Sequence, residues 1–422
     1  MNDPIIAQII FQMFILLLTA KILGMICTKI NFPKVVGEFL AGIIWGPSFI
    51  KTIYPNLNSI VFPIQHEQII NTAMGLITLL GFLTMLTLSG TEMIKVDTSV
   101  KQKAILHTII NTIVSFVFGF GLLFLIPNDL LSNESSYFNI GFFLSICLMM
   151  SALPIISRVL NDWDMASKWN GQFLIVTSIF VDVLGWIILS IGIVIVTSTY
   201  SNSNLISVLL NLGIMILALC LLIVIGNKII NKMNSKKLDF LFWPLFLGFV
   251  VYTYYIANIN LYIGGLIFGL IAAKIPKYRM HLKRSLEGFS TEVFVPLFFA
   301  TVGYHANVLI FKNIEITLFT LIFLLVGLVG KLIPTLILKV SKVKSSWREF
   351  WMITLCLNAR GGMEIFVAVT GISLGVFNTN MYTVLVTSAV LTSVLCPIVM
   401  RWYMNDSNKF NKMGKNNLQT TI

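Results

Sequence analysis

The sequence predicts an all-α polytopic membrane protein with about thirteen transmembrane helices. Three observations predict it. Of 422 residues, 57% are hydrophobic and only 11% are charged, under half the roughly 25% of ordinary soluble domains. The mean hydropathy is +0.90, and the apolar residues fall in long blocks parted by short polar clusters. The basic residues gather at alternate ends of those blocks. This composition excludes a soluble globular enzyme and a disordered chain, and loops take up what the spans leave.

The blocks run 5–28, 35–53, 69–90, 104–126, 138–160, 172–196, 205–225, 238–256, 261–273, 290–305, 316–338, 350–375 and 381–403. The first follows a start whose only charged side chain is Asp3, so it reads as a retained span rather than a cleaved leader. The second and ninth are short and glycine-rich. The fifth carries Ser151-Ala152-Leu153-Pro154, where Pro154 has no N–H for the Met150 carbonyl. The twelfth carries Leu357-Asn358-Ala359-Arg360-Gly361-Gly362, where the tandem Gly361 and Gly362 weaken the helix. Spans five and twelve are seven apart, an odd offset, so the two halves run in opposite directions through the membrane. Broken helices at matching places of an inverted repeat point to a transport site near the midplane. A polar tail follows Met404, and no regulatory domain is expected after Tyr403.

The net charge of +12 is explained by topology. With the N-terminus outside, nearly all of the 29 basic residues fall in inside loops or beside them. Only Lys51 and Lys312 lie in outside loops, and Lys21, Lys331 and Arg360 lie within apolar segments. No nucleic-acid partner is expected. The C-terminus is then cytoplasmic, and a bacterial cytoplasmic membrane is the expected location. The five cysteines lie in apolar blocks without CxxC or metal-ligand spacing and read as small core residues. No cofactor and no metal centre is expected.

Six ionisable residues lie well inside spans: Lys21, Glu38, Asp182, Lys331, Arg360 and Glu364. Each costs about 2.5–3.5 kcal/mol at a helix centre, so each needs a partner or a use. Asp182 has Ser178 one turn before it on the same face, and Gly185 after it leaves room for a neighbouring helix or a hydrated ion. It reads as a carboxylate that holds a proton and a monovalent cation in turn, with a neutral or salt-bridged structural Asp as the alternative. Arg360 and Glu364, spaced i, i+4, read as a pair that ties the broken helix to its neighbours. Lys331 is a candidate counter-ion for Asp182, which separation along the chain does not decide. Glu38 reads as a packed or interfacial carboxylate, and Lys21 as a side chain snorkelling to the inner face. Lys51, Arg158, Glu292 and Arg401 lie near span ends, and His66, His107, His281 and His305 read as interfacial residues.

Five stretches in order resemble the monovalent cation:proton antiporters, the branch with bacterial sodium/proton and potassium/proton exchangers and the plant cation/proton exchangers. They are Asn31-Phe32-Pro33-Lys34-Val35-Val36-Gly37-Glu38 through Gly46-Pro47-Ser48; Ser151-Ala152-Leu153-Pro154 with Arg158-Val159-Leu160; Asp182 with Gly185-Trp186; Pro296-Leu297-Phe298-Phe299 with Gly303; and Lys331 followed by Asn358-Ala359-Arg360-Gly361-Gly362 and Glu364. The resemblance covers essentially the whole chain. It implies a thirteen-span fold with scaffold helices in 1–100 and 238–312 that usually dimerise. It implies a mobile core in 101–200 and 313–403, a linker helix in 201–237 and a cytoplasmic tail in 404–422. It further implies that Asp182 binds the ion, that the two broken helices cross beside it, and that Ser151 supplies an oxygen nearby. One departure stands out: the family has Asn-Asp or Asp-Asp where this chain has Val181-Asp182.

One titratable carboxylate supports one-for-one, electroneutral exchange, driven by about 1.36 kcal/mol per pH unit. A two-proton cycle would also draw about 2.3 kcal/mol per 100 mV and needs a second carrier, for which Lys331 is the candidate. The expected partners are a monovalent cation (Na⁺ or K⁺), protons, membrane lipid and a second copy of the chain. Two other readings stay open: a proton-coupled exporter of an organic cation or metabolite, and a channel-like or transport-incompetent relative. An enzyme is not expected, since no Ser/His, metal or paired-acid constellation is present.

Overall fold

The computed structural model describes residues 3–30, 32–62, 67–91, 98–132, 135–198, 290–340 and 346–419, with scattered positions between 244 and 288. The expected span 205–225, the linker 201–237 and most of 238–273 lie outside the described residues.

Every regular element among the described residues is helical. The α-helices, in chain order, begin with α1 (Asp3–Lys29), α2 (Lys34–Trp45), α3 (Ile50–Ile53), α4 (Pro55–Val61), α5 (Glu67–Thr91), α6 (Thr98–Gly121), α7 (Tyr137–Met149), α8 (Leu153–Asp162) and α9 (Trp169–Ser198). A single π turn, Ser290–Phe294, leads into α10 (Val295–His305). Then come α11 (Ile314–Val340), α12 (Trp347–Leu357), α13 (Gly362–Ser373) and α14 (Thr379–Gln419). Six described stretches are long and apolar enough to cross a membrane: Pro4–Lys29, Thr98–Phe124, Trp169–Ile193, Ile314–Val340, Trp347–Ser373 and Thr379–Met404. The fifth of these consists of the two pieces α12 and α13.

The chain forms two compact units. One comprises Met1–Cys27, Gly37–Lys95 and Trp186–Ile310. Its glycine-rich second span is explained by helix crossing. A methyl group on Gly42 would overlap the Ala300 carbonyl oxygen of α10, and one on Gly303 would overlap the Phe39 carbonyl oxygen of α2. Small residues let two backbones approach this closely where lipid gives helices no hydrophobic reason to associate. Ser48 closes the motif by donating to the Ala306 carbonyl (3.2 Å) and accepting from Val308 N–H (2.8 Å). Ile5, Ile9, Leu16 and Ala20 of α1 pack with Ala41, Met74, Leu297 and Ala300. Glu38 is buried, as a packed carboxylate should be. The ammonium of Lys21 is paired with the carboxylate of Glu292, beside the π turn.

The other unit comprises Thr28–Val36, Val96–Gly185 and Phe311–Ile422. Its core joins Leu153, Ile156, Leu160, Leu174, Met352, Cys356, Leu357, Cys396 and Met400. The described cysteines, Cys27, Cys147, Cys356 and Cys396, are free and buried. Local capping sets where the helices begin. Ser136 accepts from Asn139 N–H at the start of α7 (3.3 Å), and Ser346 and Glu349 form a reciprocal capping box at the start of α12. At the opposite end from that box, Asn378 and Asn380 donate to the Asp129 carbonyl (2.8 and 3.2 Å), and Asn313 donates to its carboxylate (3.0 Å). These bonds tie the α6–α7 connection to the starts of α11 and α14.

Candidate functional site

Both broken spans interrupt at the residues expected, and the interruptions meet. The first helix stops at Met149, before Pro154, because proline is tolerated only in the first turn of the piece that follows. The second stops at Leu357 and resumes at Gly362. Ala152 N–H donates to the Ala359 carbonyl (2.7 Å), and the Ser151 hydroxyl donates to the Leu357 carbonyl (2.8 Å). Each unwound segment therefore satisfies backbone groups of the other, which is how irregular backbone survives at membrane depth. Gly361 has φ −165°, an extended conformation open to any residue. Its small size matters instead, because a Cβ there would lie 3.0 Å from the Ala152 Cβ.

Asp182 lies on α9 with only 3% of its surface exposed. Its Oδ1, the Ser178 hydroxyl and the Thr177 hydroxyl are buried with no hydrogen-bond partner among the described residues. The space beside Gly185 is taken by the side chains of Met149 and Met150, so that glycine accommodates protein and not an ion. Val181 is buried and apolar, and adds no polar group.

Lys331 of α11 is 1% exposed, and its ammonium donates to the Met149 carbonyl and to Ser151 Oγ (3.3 Å). It thereby caps the C-terminal end of α7, where orphan carbonyls and the helix dipole favour a positive charge. No hydrogen bond or ion pair joins Lys331 to Asp182 among the described residues.

Arg360 and Glu364 form the expected pair, Nη1 to Oε1 at 3.0 Å, both wholly buried. The guanidinium stacks on Phe323 (4.8 Å to the ring centre) and presses on Gly327, where a methyl group would overlap Nη2. Glu364 also sits in the first turn of α13, the end where a carboxylate is favoured.

One expectation needs correcting. His107 is not interfacial: it is 1% exposed, halfway along α6. Its Nε2 meets Thr335 Oγ1 (3.2 Å), and the Thr335 hydroxyl itself donates to the Lys331 carbonyl (2.8 Å). The hydrogen-bond pattern therefore assigns the ring proton to Nε2. One turn further along α6, Asn111 donates to the Met149 carbonyl (3.0 Å). Neither residue was singled out from the sequence as part of the site. The available signal was His107, Asn111 and Ser115 at i, i+4 and i+8, a polar stripe on one face of an otherwise apolar span. Among the described residues no group of three or more His, Cys, Asp or Glu could hold a metal ion.

Comparison with known proteins gives a family match along nearly the whole chain: the family model for transmembrane sodium/hydrogen exchangers matches residues 14–406. The chain is 23% identical over 420 residues to Na(+)/H(+) antiporter NhaS4 of Synechocystis sp., covering 96% of this chain and 99% of that protein. It is 24% identical over 422 residues to K(+)/H(+) antiporter 1 of Saccharomyces cerevisiae (93% of this chain, 46% of that one). It is also 24% identical over 412 residues to Cation/H(+) antiporter 20 of Arabidopsis thaliana (94% and 48%), so it spans about half the length of the yeast and plant relatives. Among solved structures, the sodium proton antiporter MjNhaP1 of Methanocaldococcus jannaschii shares the fold, with a TM-score of 0.62 at 17% identity over 94% of this chain and 96% of that one.

Proposed function

The chain belongs to the transmembrane sodium/hydrogen exchanger family, and on that premise we propose that it exchanges a monovalent cation, Na⁺ or K⁺, for protons at Asp182. The observation that carries the reading is the Asp182 carboxylate itself: buried within an apolar span, with Oδ1 and the neighbouring Ser178 hydroxyl unsatisfied by the described residues. A carboxylate so placed is stabilised by a proton or by a cation, and the two compete for it. Ser151 lies at the crossing of the broken helices and supports the site through Lys331. Arg360 and Glu364 fix the second broken helix.

The exchange is one for one and electroneutral. Lys331 is engaged by Met149 and Ser151, which leaves Asp182 as the group that trades its proton. Alternating access carries Asp182 between the two faces. The architecture is a thirteen-span inverted repeat, with a mobile core in 101–200 and 313–403, scaffold helices in 1–100 and 238–312, a linker helix in 201–237 and a tail in 404–422. The scaffold dimerises within the lipid of a bacterial cytoplasmic membrane, N-terminus outside and C-terminus in the cytoplasm.

The test uses inside-out vesicles with an imposed pH gradient, to which Na⁺, K⁺ or Li⁺ is added while proton release is followed. Cation-dependent release that vanishes in Asp182→Asn is expected. No release with any of the three cations overturns the reading, and an Asp182→Asn variant as active as its parent overturns the site.

A further inference from the structure

Met149, the last residue of α7, is in contact with three other helices, α6, α9 and α11. Its carbonyl accepts from both Asn111 Nδ2 on α6 and Lys331 Nζ on α11, using both lone pairs. Its side chain lies against Gly185, one turn beyond Asp182 on α9. Asn111 is thus linked, through Met149, to the part of α9 that carries Asp182.

The Met149 carbonyl also orients the Asn111 amide. The NH₂ group must face the carbonyl, so Oδ1 faces away from it. That Oδ1 is buried, in a residue with 0% exposure, and has no hydrogen-bond partner among the described residues. A buried acceptor left unmet is costly, and a donor side chain without a spare oxygen would cap Met149 equally well. Asp182 Oδ1 and Ser178 Oγ are in the same condition in the same unit. Hard monovalent cations are held by such amide, carboxylate and hydroxyl oxygens.

We propose that Asn111 is a cation-binding residue of the exchange site, its Oδ1 coordinating the transported monovalent ion alongside Asp182 while its Nδ2 holds the end of α7 in place. The proposal rests on the exchange reading given above. It adds a polar ligand from α6, a helix that the sequence motifs leave unmarked.

Two variants separate a ligand from an anchor. Asn111→Ala removes both functions, whereas Asn111→Asp keeps an oxygen at Oδ1 and gives up the donor to Met149. In vesicles with matched amounts of folded protein, Asn111→Ala is expected to raise the half-saturating cation concentration about tenfold or more and to alter the Na⁺:K⁺:Li⁺ preference. Asn111→Asp is expected to stay at or below the parent value. A parental concentration dependence in Asn111→Ala, or an equal loss in Asn111→Asp and Asn111→Ala, overturns the proposal. Binding of radioactive Na⁺ and Rb⁺ to purified protein gives the same comparison without turnover. Binding lost in Asp182→Asn but intact in Asn111→Ala overturns the Asn111 assignment and leaves Asp182 standing. A parent that binds no cation overturns both. Should Asn111→Ala fail to fold, Asn111→Thr replaces it in the binding series and is judged against Asn111→Asp by the same outcomes.

Discussion

Lys331 donates its ammonium to the main-chain carbonyl of Met149 and not to the carboxylate of Asp182. This buried positive charge is therefore fixed by backbone, at the end of a half-helix, and a carboxylate partner is not what holds it there. Removing it should act first on stability. Lys331→Ala withdraws a charge-assisted bond from a buried carbonyl and should cost about 1.5–3 kcal/mol. Lys331→Gln keeps a donor within reach and should recover part of that loss. Thermal unfolding in detergent, followed by size-exclusion chromatography, ranks parent, Gln and Ala in that order. Equal melting of parent and Ala would show that the cap is dispensable.

Exchange at Asp182, as proposed, gives the pH dependence a definite sign: the ionised carboxylate would bind a cation and the protonated one would not. As pH falls below the range in which the group ionises, the half-saturating cation concentration should rise about tenfold per unit, and it should level off above that range. Initial rates at several cation concentrations across a pH series measure this. The voltage arm is separate. If one proton leaves for each cation that enters, clamping the membrane potential with valinomycin and K⁺ should leave Na⁺-driven rates unchanged.

Arg360 and Glu364 should behave as a coupled pair. Either Arg360→Gln or Glu364→Gln strands a charge at 0% exposure, a loss of about 3–5 kcal/mol. The double variant should lose much less than the sum of the two. Additive losses in melting experiments would mean that the 3.0 Å bond contributes little.

These expectations draw unequally on the sequence. The breaks at Pro154 and at Gly361-Gly362 were legible because proline and paired glycines report on the backbone directly. Asp182, Arg360 and Glu364 were legible because an ionisable group within an apolar block needs a reason to be there. What joins the pieces was not legible. The sequence does not show that the Met149 carbonyl receives Lys331 and Asn111, since hydrogen bonds to backbone leave no trace in residue types. His107 was misread for a related reason: position along a span says little about which face a side chain takes. Here the stripe formed with Asn111 and Ser115 carried that information.

The crossing of the broken helices yields a size-swap prediction. Gly361 is extended, so alanine suits its backbone, yet the added Cβ would lie 3.0 Å from the Cβ of Ala152. Those two residues flank the bond from Ala152 N–H to the Ala359 carbonyl, so the strain falls where the two segments hold each other. Gly361→Ala should therefore destabilise the protein by about 1–3 kcal/mol, as overpacking does. Ala152→Gly alone removes one buried methyl group and should cost less. Combined with Gly361→Ala, it moves the methyl group from one side of the crossing to the other and should restore much of the loss. Melting of the four proteins closes the cycle. A double variant no more stable than Gly361→Ala would place the clash elsewhere, and a Gly361→Ala variant as stable as its parent would show that the crossing has room to spare.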